Sequence, residues 1–472
     1  MFVFNTMFVL KHAGFHLQRQ AILSIGIVKL KHSSSALFVT GEKANQTVSI
    51  LTPYVDMNDH FQDIPRLERN ISLRGMKLNV TQLSEQWQIL QNLVSDKLSL
   101  EERRNEIAER IKELKKMGIT NDMEKYRIQG KVLRNELKTL MKTLWSLEEN
   151  VILKALKLPN VLNPHTPDNL EKVVSEYGEV YKGISVDHIV NGKKGSLLEY
   201  LSPMHYYFKG AAALYEMCIL SFFADELKNN NFLPFSNADF SRSIVVEGVG
   251  MDYHNPQSVF TLKEVTDSLY SHNREHLVGG ASLFSFCAFH AKHVIQSEFL
   301  PVRYFSIGNQ YKPARNKSHE MGLFNVCQSS VVEIFLVVPD CYDAMMAEFH
   351  RTLDLLTRLY KQLGYHFRIV YLPPLELKPW ESLRASIQLF SPCLQSYIEV
   401  GHLSTCDTYI SKRLLMYYEN VASHERKFVR ILSGTALSVP IILGCVLESE
   451  PLVSTNGLKI PNPISKNVFC TL

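Results

Sequence analysis

The chain has 472 residues, a formal net charge of +4 and 46% hydrophobic residues, enough for two domains around a large buried core. No apolar run reaches the roughly 18 residues that span a bilayer, so membrane insertion is not expected. The eight cysteines are scattered without a C-x-x-C pair. They indicate neither a zinc knuckle nor a disulfide framework, and they fit a reducing compartment.

The N-terminal 41 residues are basic and contain no acidic residue, since the first one in the chain is Glu42. Four Lys and Arg residues are interleaved with Phe, Leu, Ile and Val, and a run of three serines follows. This composition predicts a mitochondrial transit peptide over residues 1–41 and therefore a location in the mitochondrial matrix. The alternative is a disordered basic tail. A weakly periodic segment with two prolines, 42–78, comes next.

A clear helical periodicity begins at Leu83. Apolar residues recur every three or four positions as far as Leu114, Gly118 can end that helix, and a polar residue among 120–122 can cap the next one. The pattern predicts an antiparallel coiled-coil hairpin over residues 79–158. The second helix has a heptad seam with 4-3-4-3-4 spacing, formed by Leu133, Leu137, Leu140, Leu144, Leu147 and Val151.

The distal part of this hairpin is strongly basic. Between Arg110 and Lys142, ten basic residues stand against four acidic ones, a local charge of +6, whereas the chain outside this stretch and the leader sums to about −6. A basic tip on an acidic body predicts contact with phosphates. The alternative is a solvated coiled coil with a lysine-rich surface. The candidate RNA-binding residues are Arg110, Lys112, Lys115, Lys116, Lys125, Arg127, Lys131, Arg134 and Lys138.

The remaining residues, 159–472, have the alternating pattern of an α+β domain. A helix rich in small residues is predicted over 210–227, and a proline-bearing strand over 232–235. Further elements follow in the order strand, strand, helix, strand, at 302–307, 331–338, 341–363 and 367–371.

The last large segment, 397–448, combines strand, loop and helix patterns. β-prone residues open it at 397–400, a loop is predicted for 401–408, and a second strand for 413–418. An apolar helix is predicted for 439–447. A helix that begins after a strand suits an anion site, but the residues that would face the anion include no cation.

Other motifs give weaker signals. Residues 192–196 are predicted to form a flexible basic loop, because they lack the spacing of a phosphate-binding loop. Two histidine pairs have helical spacing, but a zinc site would need further ligands. These pairs are His272 with His276 and His290 with His293.

From about residue 75 to the C-terminus, the chain resembles the seryl-tRNA synthetase family. The order E-V-x-x-x-S-x-C-x-x-Y-x-x-[KR]-R from Glu399, and L-x-G-x-x-L-x-V from Leu432, resembles motif 3 of these class II enzymes. The helix at 210–227 and the strand at 232–235 resemble motif 1. The resemblance implies a class II synthetase-like antiparallel sheet flanked by helices, and a hairpin that holds tRNA. It also implies a homodimer, or a heterodimer with the mitochondrial seryl-tRNA synthetase.

The resemblance also implies where catalytic residues should stand, and the sequence departs from the family there. The motif 2 arginine and glutamate correspond to Lys312 and Ala314. The serine-recognising T-x-E corresponds to the run 280–282, which reads Gly-Ala-Ser, and the ATP-binding arginine of motif 3 to Ile441. The stretch 325–333 resembles R-V-H-Q-F-x-K-V-E but has lost its Arg, His, Phe and Lys.

Two charged residues of the motif 3-like segment are retained, Glu399 and Arg413. We expect them to form an ion pair that supports the fold. Two cysteines near the implied site, Cys327 and Cys406, are expected to be small buried side chains.

The sequence therefore predicts a catalytically degenerate paralogue of seryl-tRNA synthetase, without catalytic residues, cofactor or metal, that binds RNA, expected to be tRNA, through its hairpin. Two alternatives stay open. One is an ATP-dependent ligase of altered amino-acid specificity, which would need cations in its site. The other is a protein-only scaffold whose hairpin grips a partner helix.

Overall fold

The structure is a computed structural model that describes residues 35–38, 51–118, 120–262, 274–314, 319–421, 423–449, 453–454 and 457–465. The predicted transit peptide lies outside the described residues apart from 35–38, and His272 also lies outside them. The chain divides into two compact units, Met1–Ser35 and Ala36–Leu472. Only Ser35 of the first unit is described, so the elements below all belong to the second.

Two short helices precede the hairpin, α1 Met57–Gln62 and α2 Ile64–Leu73. The carboxylates of Asp56 and Asp63 cap them by accepting backbone N–H groups of the first turn. The sequence pattern was too weak to predict these helices. Pro65, which looked like a breaker, occupies the first turn of α2, where a proline needs no N–H partner.

The predicted helical hairpin is present as α3 Val80–Met117 and α4 Thr120–Ala155. Gly118 ends α3 in the left-handed conformation, with φ 71°, which permits the tight connection. The heptad seam lies on the inner side, where Leu144 is 7% exposed and Val151 is 0% exposed. At the base of the hairpin these residues join α1 and α2 in one small apolar core.

The body consists of the following elements. In chain order they are β1 Lys172–Tyr177, α5 His188–Lys194, β2 Leu198–Ser202, β3 His205–Phe208, α6 Ala211–Asn229, β4 Leu233–Pro234, β5 Phe240–Arg242, α7 Ser243–Val249, β6 Phe260–Thr261, β7 Glu275–Leu277, α8 Leu283–His290, β8 Val294–Gln296, β9 Val302–Tyr311, β10 Gln328–Val338, α9 Tyr342–Leu363, β11 Phe367–Tyr371, β12 Leu383–Ser391, β13 Ser396–Asp407, α10 Tyr409–Leu414, β14 Tyr417–Glu419, β15 Arg426–Phe428, β16 Arg430–Ser438, α11 Val439–Leu447, β17 Val453–Ser454, β18 Gly457–Leu458 and α12 Asn462–Ser465. Short 3-10 turns lie at Ser297–Phe299, His319–Asn325 and Pro374–Glu376.

One eight-stranded sheet organises the body, in the order β1-β11-β12-β13-β16-β10-β9-β4. Its strands pair antiparallel, except that β4 pairs with β9 in parallel. The predicted α+β class with a sheet flanked by helices is therefore confirmed. The sequence predicted this class from its pattern of apolar strands and amphipathic helices. Such elements must bury their apolar faces against one another.

Helices α6, α9 and α11 pack with the sheet into the main apolar core. Tyr215 and Phe223 of α6 and Phe349 of α9 are fully buried there. Gly364 ends α9 in the left-handed conformation, directly after the helix predicted for 341–363. This core fixes β10, β13 and β16, three of the strands that carry residues of the candidate site.

Two predictions in the segment 397–448 are wrong. Residues 401–408 were expected to form a loop, but β13 continues as far as Asp407. Gly401 is needed inside that strand, because a Cβ atom there would lie 2.8 Å from the carbonyl oxygen of Thr435. The strand predicted for 413–418 is instead the end of α10 followed by β14, with Leu415 in the left-handed conformation between them.

The basic loop predicted at 192–196 is wrong as well, since helix α5 includes Gly192. A Cβ atom at Gly192 would lie 2.7 Å from the Cβ atom of Leu198, so a small residue lets α5 pack closely on β2. Lys193 and Lys194 occupy the last turn of α5, where a positive charge favours the helix dipole.

Two predictions from composition can be compared with the described part of the chain. No described helix is long and apolar enough to cross a membrane. Six described cysteines are free, whereas Cys218 on α6 is disulfide-bonded, which departs from the expectation of isolated cysteines.

The hairpin core gives a matched pair of variants within one helix. Leu90 of α3 is 5% exposed and Leu98 of the same helix is 54% exposed. We expect Leu90→Ala to lower the free energy of unfolding by about 2–5 kcal/mol, because it leaves a cavity. We expect Leu98→Ala to change it by less than about 0.5 kcal/mol. Urea denaturation followed by circular dichroism measures both, and equal effects would contradict the packing described here.

Candidate functional site

The segments that resemble motifs 2 and 3 meet around a cavity of about 200 Å³. Strands β9, β10, β13 and β16 and the first turn of α11 contribute to its walls. Phe324 and Ile441 are among its apolar lining residues. The polar and charged lining residues are Gln310, Lys312, Asn325, Ser329, Glu399, His402, Thr435 and Ser438.

Behind the cavity, one arginine lies between two carboxylates. Arg384 of β12 donates from Nη1 to Oε1 of Glu381 at 2.9 Å. It also donates from Nε to Oε2 of Glu399 at 3.2 Å, and its Nη2 contacts the other oxygen of Glu399. Ser386 donates to Glu399 Oε2 at 2.7 Å. Two carboxylates thus bind the guanidinium of Arg384.

This cluster sets the charges around the cavity. Burial alone would raise the pKa of Glu399, but Arg384 outweighs it and holds that pKa at about 2. Burial, with the nearby charge of Arg384, lowers the pKa of His402 to about 3. At neutral pH the structure therefore presents an ionised Glu399 and a neutral His402 at the cavity.

A further carboxyl group lies on β10, which pairs with β16 in the sheet. Glu333 is 3% exposed and accepts hydrogen bonds from the hydroxyls of Thr435 at 2.8 Å and Ser433 at 3.3 Å. Burial raises its pKa to about 7, although the two hydroxyls and Lys312 oppose that shift. Glu333 is therefore a group whose protonation changes near physiological pH.

Cations are scarce at the cavity. Among the described lining residues, Lys312 is the one side chain with a permanent positive charge, and it is exposed to solvent. Ile441, at the position of the motif 3 arginine, contributes an apolar wall. The described lining residues can hold a small polar molecule, and among them Lys312 is the one permanent cation that could neutralise part of a triphosphate.

The run that corresponds to T-x-E does not line the cavity. Ala281 is 0% exposed and Ser282 is 1% exposed. Ser282 caps α8 by accepting the N–H of Ser285, and its hydroxyl donates to the carbonyl of Gly279. A Cβ atom at Gly280 would lie 2.8 Å from the carbonyl oxygen of Asn237, so this segment now packs against the protein itself.

The predicted ion pair between Glu399 and Arg413 is wrong, because the partner of Glu399 is Arg384. Arg413 donates instead to the carbonyl oxygens of Leu156 at 2.8 Å and Leu158 at 3.2 Å, at the root of the hairpin. The sequence missed Arg384 because its contact with Glu399 depends on the register between β12 and β13. Pairing of these neighbouring strands is the signal that could have found it.

The described histidine and cysteine candidates do not line the cavity. His276 is buried between the hydroxyls of Ser243 and Thr261, and burial lowers its pKa to about 4. Among the described residues, no group of three or more His, Cys, Asp or Glu could hold a metal ion. Cys327 and Cys406 are buried and do not line the cavity, and burial raises the pKa of the Cys406 thiol.

The nine candidate RNA-binding residues all lie exposed on α3 and α4. Arg110, Lys125 and Arg127 pair with acidic residues three positions away on the same helix, and such surface pairs are weak. On α4, a basic stripe with 4-3-4-4 spacing follows one helix face, away from the leucine seam. The basic stripe consists of Arg127, Lys131, Arg134, Lys138 and Lys142.

Comparison with protein families shows a match to the tRNA synthetase class II core domain (G, H, P, S and T) over residues 264–450. That range contains β9, β10, β13, β16 and α11, the elements around the cavity. The family match therefore coincides with the site found from the geometry.

Over most of its length the chain is similar to two kinds of curated relative. It is 29% identical over 423 residues to the Drosophila melanogaster serine–tRNA synthetase-like protein Slimp, and this match covers 88% of each of the two chains. It is 26% identical over 420 residues to the mitochondrial serine–tRNA ligase of Mus musculus, covering 84% of this chain and 80% of the relative.

Solved structures show the same fold. A seryl-tRNA synthetase from Pyrococcus horikoshii, solved with ATP, superposes with a TM-score of 0.76 at 17% identity and covers 88% of this chain and 98% of its own. A cytoplasmic serine–tRNA ligase from Naegleria fowleri, solved with AMP, gives a TM-score of 0.71 at 15% identity and covers 85% of this chain and 94% of its own.

Glu333 predicts a pH-dependent stability. Its folded-state pKa of about 7 lies above the ordinary value of 4.5, so the folded protein holds this proton to a higher pH than the unfolded chain does. The stability that this group contributes is full below pH 4.5 and is lost as the pH rises through 7. Relative to wild type, Glu333→Gln should therefore become more stable between pH 5 and pH 8, by at most about 3 kcal/mol.

Urea denaturation at several pH values measures this difference. Glu376→Gln, which removes an exposed carboxylate, is the matched control and should follow the wild-type profile. If Glu333→Gln and wild type keep a constant difference over this range, the assignment of a raised pKa to Glu333 is wrong.

Proposed function

We propose that this chain, which matches the class II tRNA synthetase core domain over residues 264–450 and is similar to a seryl-tRNA synthetase-like protein over most of its length, is a non-catalytic paralogue of seryl-tRNA synthetase that acts in mitochondria. It binds RNA, with tRNA as the expected class, through the hairpin α3–α4. It acts as a regulatory or structural partner, either as a homodimer or with the active mitochondrial seryl-tRNA synthetase.

The observation that carries the non-catalytic part is the charge balance at the cavity. Activation of an amino acid by ATP needs cations already directed at the developing phosphate charge. Arg384 is bound by Glu381 and Glu399, and Ile441 offers an apolar surface. Lys312 keeps a charge but lacks the planar fork of an arginine.

The energetic consequence is large. A hydrogen bond to a charged group contributes roughly 1.5–3 kcal/mol. About 1.4 kcal/mol corresponds to a tenfold change in rate. Three sets of residues are replaced at once: the motif 2 arginine and glutamate, the T-x-E ligands and the motif 3 arginine. Together these replacements lower the expected rate of amino-acid activation by many powers of ten. Residual adenylate formation is not expected.

The basic stripe supports the RNA-binding part. It spans 16 residues of α4, or about 22 Å at 1.5 Å per residue step, on a face that the hairpin core leaves in solvent. Lys131, Arg134 and Lys138 lie at its centre and are exposed, and no ion pair to them is found among the described residues. A row of unpaired cations on a rigid helix suits contacts with successive phosphates.

Exposed apolar residues support pairing through the elements that resemble motif 1. Met217 of α6 is 51% exposed and Leu233 of β4 is 57% exposed. Phe240 and Phe289 are each 53% exposed. Where such residues form one contiguous exposed patch, they are typical of a protein–protein contact.

The mitochondrial assignment is supported from two sides. One is the basic, acid-free leader over residues 1–41. The other is similarity to serine–tRNA ligases that are named mitochondrial, from Mus musculus and Bos taurus. The expected compartment is the matrix.

The first test is nucleotide binding. We expect isothermal titration of the full chain with Mg-ATP, and with a seryl-adenylate analogue, to show no binding up to millimolar ligand, because Lys312 is the one permanent cation among the described residues that line the cavity. An active mitochondrial serine–tRNA ligase is the control. Micromolar binding together with serine-dependent pyrophosphate exchange would sink the non-catalytic assignment and favour a ligase of altered specificity.

The second test reverses charge on the basic stripe. We expect Lys131→Glu/Arg134→Glu/Lys138→Glu to weaken binding of a serine tRNA transcript at least about tenfold near 0.1 M salt. The dependence of log K on log salt should become shallower by roughly two to three, since each lost phosphate contact contributes about 0.7–0.9. A filter-binding titration across salt concentrations measures both quantities.

A control variant carries the same charge change on the body. Lys182→Glu/Lys193→Glu/Lys194→Glu alters three exposed lysines outside the hairpin and should leave RNA binding within about twofold of wild type. If both variants lose binding equally, the hairpin is not the RNA contact. Binding that is unchanged in the stripe variant and insensitive to salt would favour the protein-only scaffold.

A further inference from the structure

One carboxylate of the body binds a short segment near the N-terminus. Glu247 of α7 accepts the backbone N–H groups of Ala36 and Leu37 on the same oxygen, Oε2, at 2.7 and 2.9 Å. A carboxylate that accepts two neighbouring backbone donors fixes both the position and the direction of the chain. The contact joins residues more than 200 positions apart, so it is a tertiary contact rather than a local turn.

The side chains of this segment belong to the core of the body. Leu37 is 1% exposed and Ala36 is 7% exposed. Both lie in the same apolar cluster as Val246, Val249 and Tyr253, and Phe38 packs at its edge. A leucine buried to this degree contributes to the core like any residue of a strand or helix.

The same carboxylate acts on the root of the hairpin. Burial lowers the pKa of Arg413, and the negative charge of Glu247 opposes that effect. Arg413 donates to the carbonyl oxygens of Leu156 and Leu158, where α4 ends, and its Nη1 makes no hydrogen bond to a described residue. Glu247 is therefore a charge partner of the arginine that fixes the hairpin to the body.

We propose that Ala36–Phe38 is a latch retained in the mature protein, and that the leader is removed at or before the Ser35–Ala36 bond. This processing site rests on the mitochondrial import proposed above. A processing peptidase would hydrolyse one peptide bond, with water supplying the hydroxyl of the new carboxyl group and a hydrogen of the new amino group. A cut at Ser35–Ala36 leaves an α-ammonium group at Ala36 that still donates to Glu247.

A cut after residue 41, where the basic composition ends, has a different result. It would remove both N–H donors of Glu247 and the buried side chain of Leu37. A carboxylate inside the body would lose two hydrogen bonds, and the apolar cluster would lose a core residue. Arg413 would then face a Glu247 without its hydrogen bonds to Ala36 and Leu37.

Sequencing of the N-terminus of the endogenous mature protein by mass spectrometry tests the processing site. We expect a mature N-terminus at Ala36 or earlier. A mature N-terminus at Leu37 or later would overturn the proposed processing site.

Recombinant variants test the latch separately from import. A chain that begins at Ser35 should have the melting temperature of the full chain, whereas one that begins at Glu42 should melt several degrees lower. Amides of Ser243–Val249 should exchange faster in the shorter chain. Equal melting temperatures and equal exchange in the two truncated chains would show that there is no latch, wherever the protein resides in the cell.

Point variants keep the test decisive if the shorter chain does not fold. In the full chain, Leu37→Ala should lower the melting temperature, and Thr52→Ala, at an exposed position in the same N-terminal region, should leave it unchanged. An unchanged melting temperature for Leu37→Ala would overturn the latch. Because these measurements do not depend on import, failure of the mitochondrial assignment and failure of the latch give different results.

Discussion

The body of this protein depends on a buried guanidinium, that of Arg384, between the carboxylates of Glu381 and Glu399. Buried charges are tolerated only when they are paired and hydrogen-bonded. Removal of one of these three groups would therefore destabilise the fold, because it leaves a buried charge without its partner. Within this cluster one cation contacts two acids.

The same network continues into the root of the hairpin. Arg74 of the N-terminal segment donates to the carbonyl oxygen of Glu381 at 2.7 Å and to that of Asn160 at 3.1 Å. Asn160 donates in turn to the carbonyls of Trp380 and Cys406. The hairpin is therefore joined to the sheet by buried hydrogen bonds to backbone carbonyls. Such bonds hold an element firmly, because a buried carbonyl without a partner is costly.

How far the sequence predicted the site depended on the range of each interaction. Ile441 and Lys312 were identified as positions without the expected arginine, and both line the cavity. Arg413 was assigned to the wrong partner, because α10 carries it away from β13 and toward the hairpin. Arg384 was missed, because only the register between two strands brings it to Glu399.

By itself, the sequence determined the helical hairpin and its basic face, the strands at 302–307, 331–338 and 367–371, helix α9 and the positions that lack the family's charged residues. These features depend on periodicity, capping glycines and residue identity, which are local properties of a chain. Only the tertiary structure decided the charge partner of Glu399, the raised pKa of Glu333, the helix at Gly192 and the packing of Leu37 with α7. Each of these depends on which distant residues exclude water or approach within hydrogen-bond distance, and such contacts are set when the whole core packs.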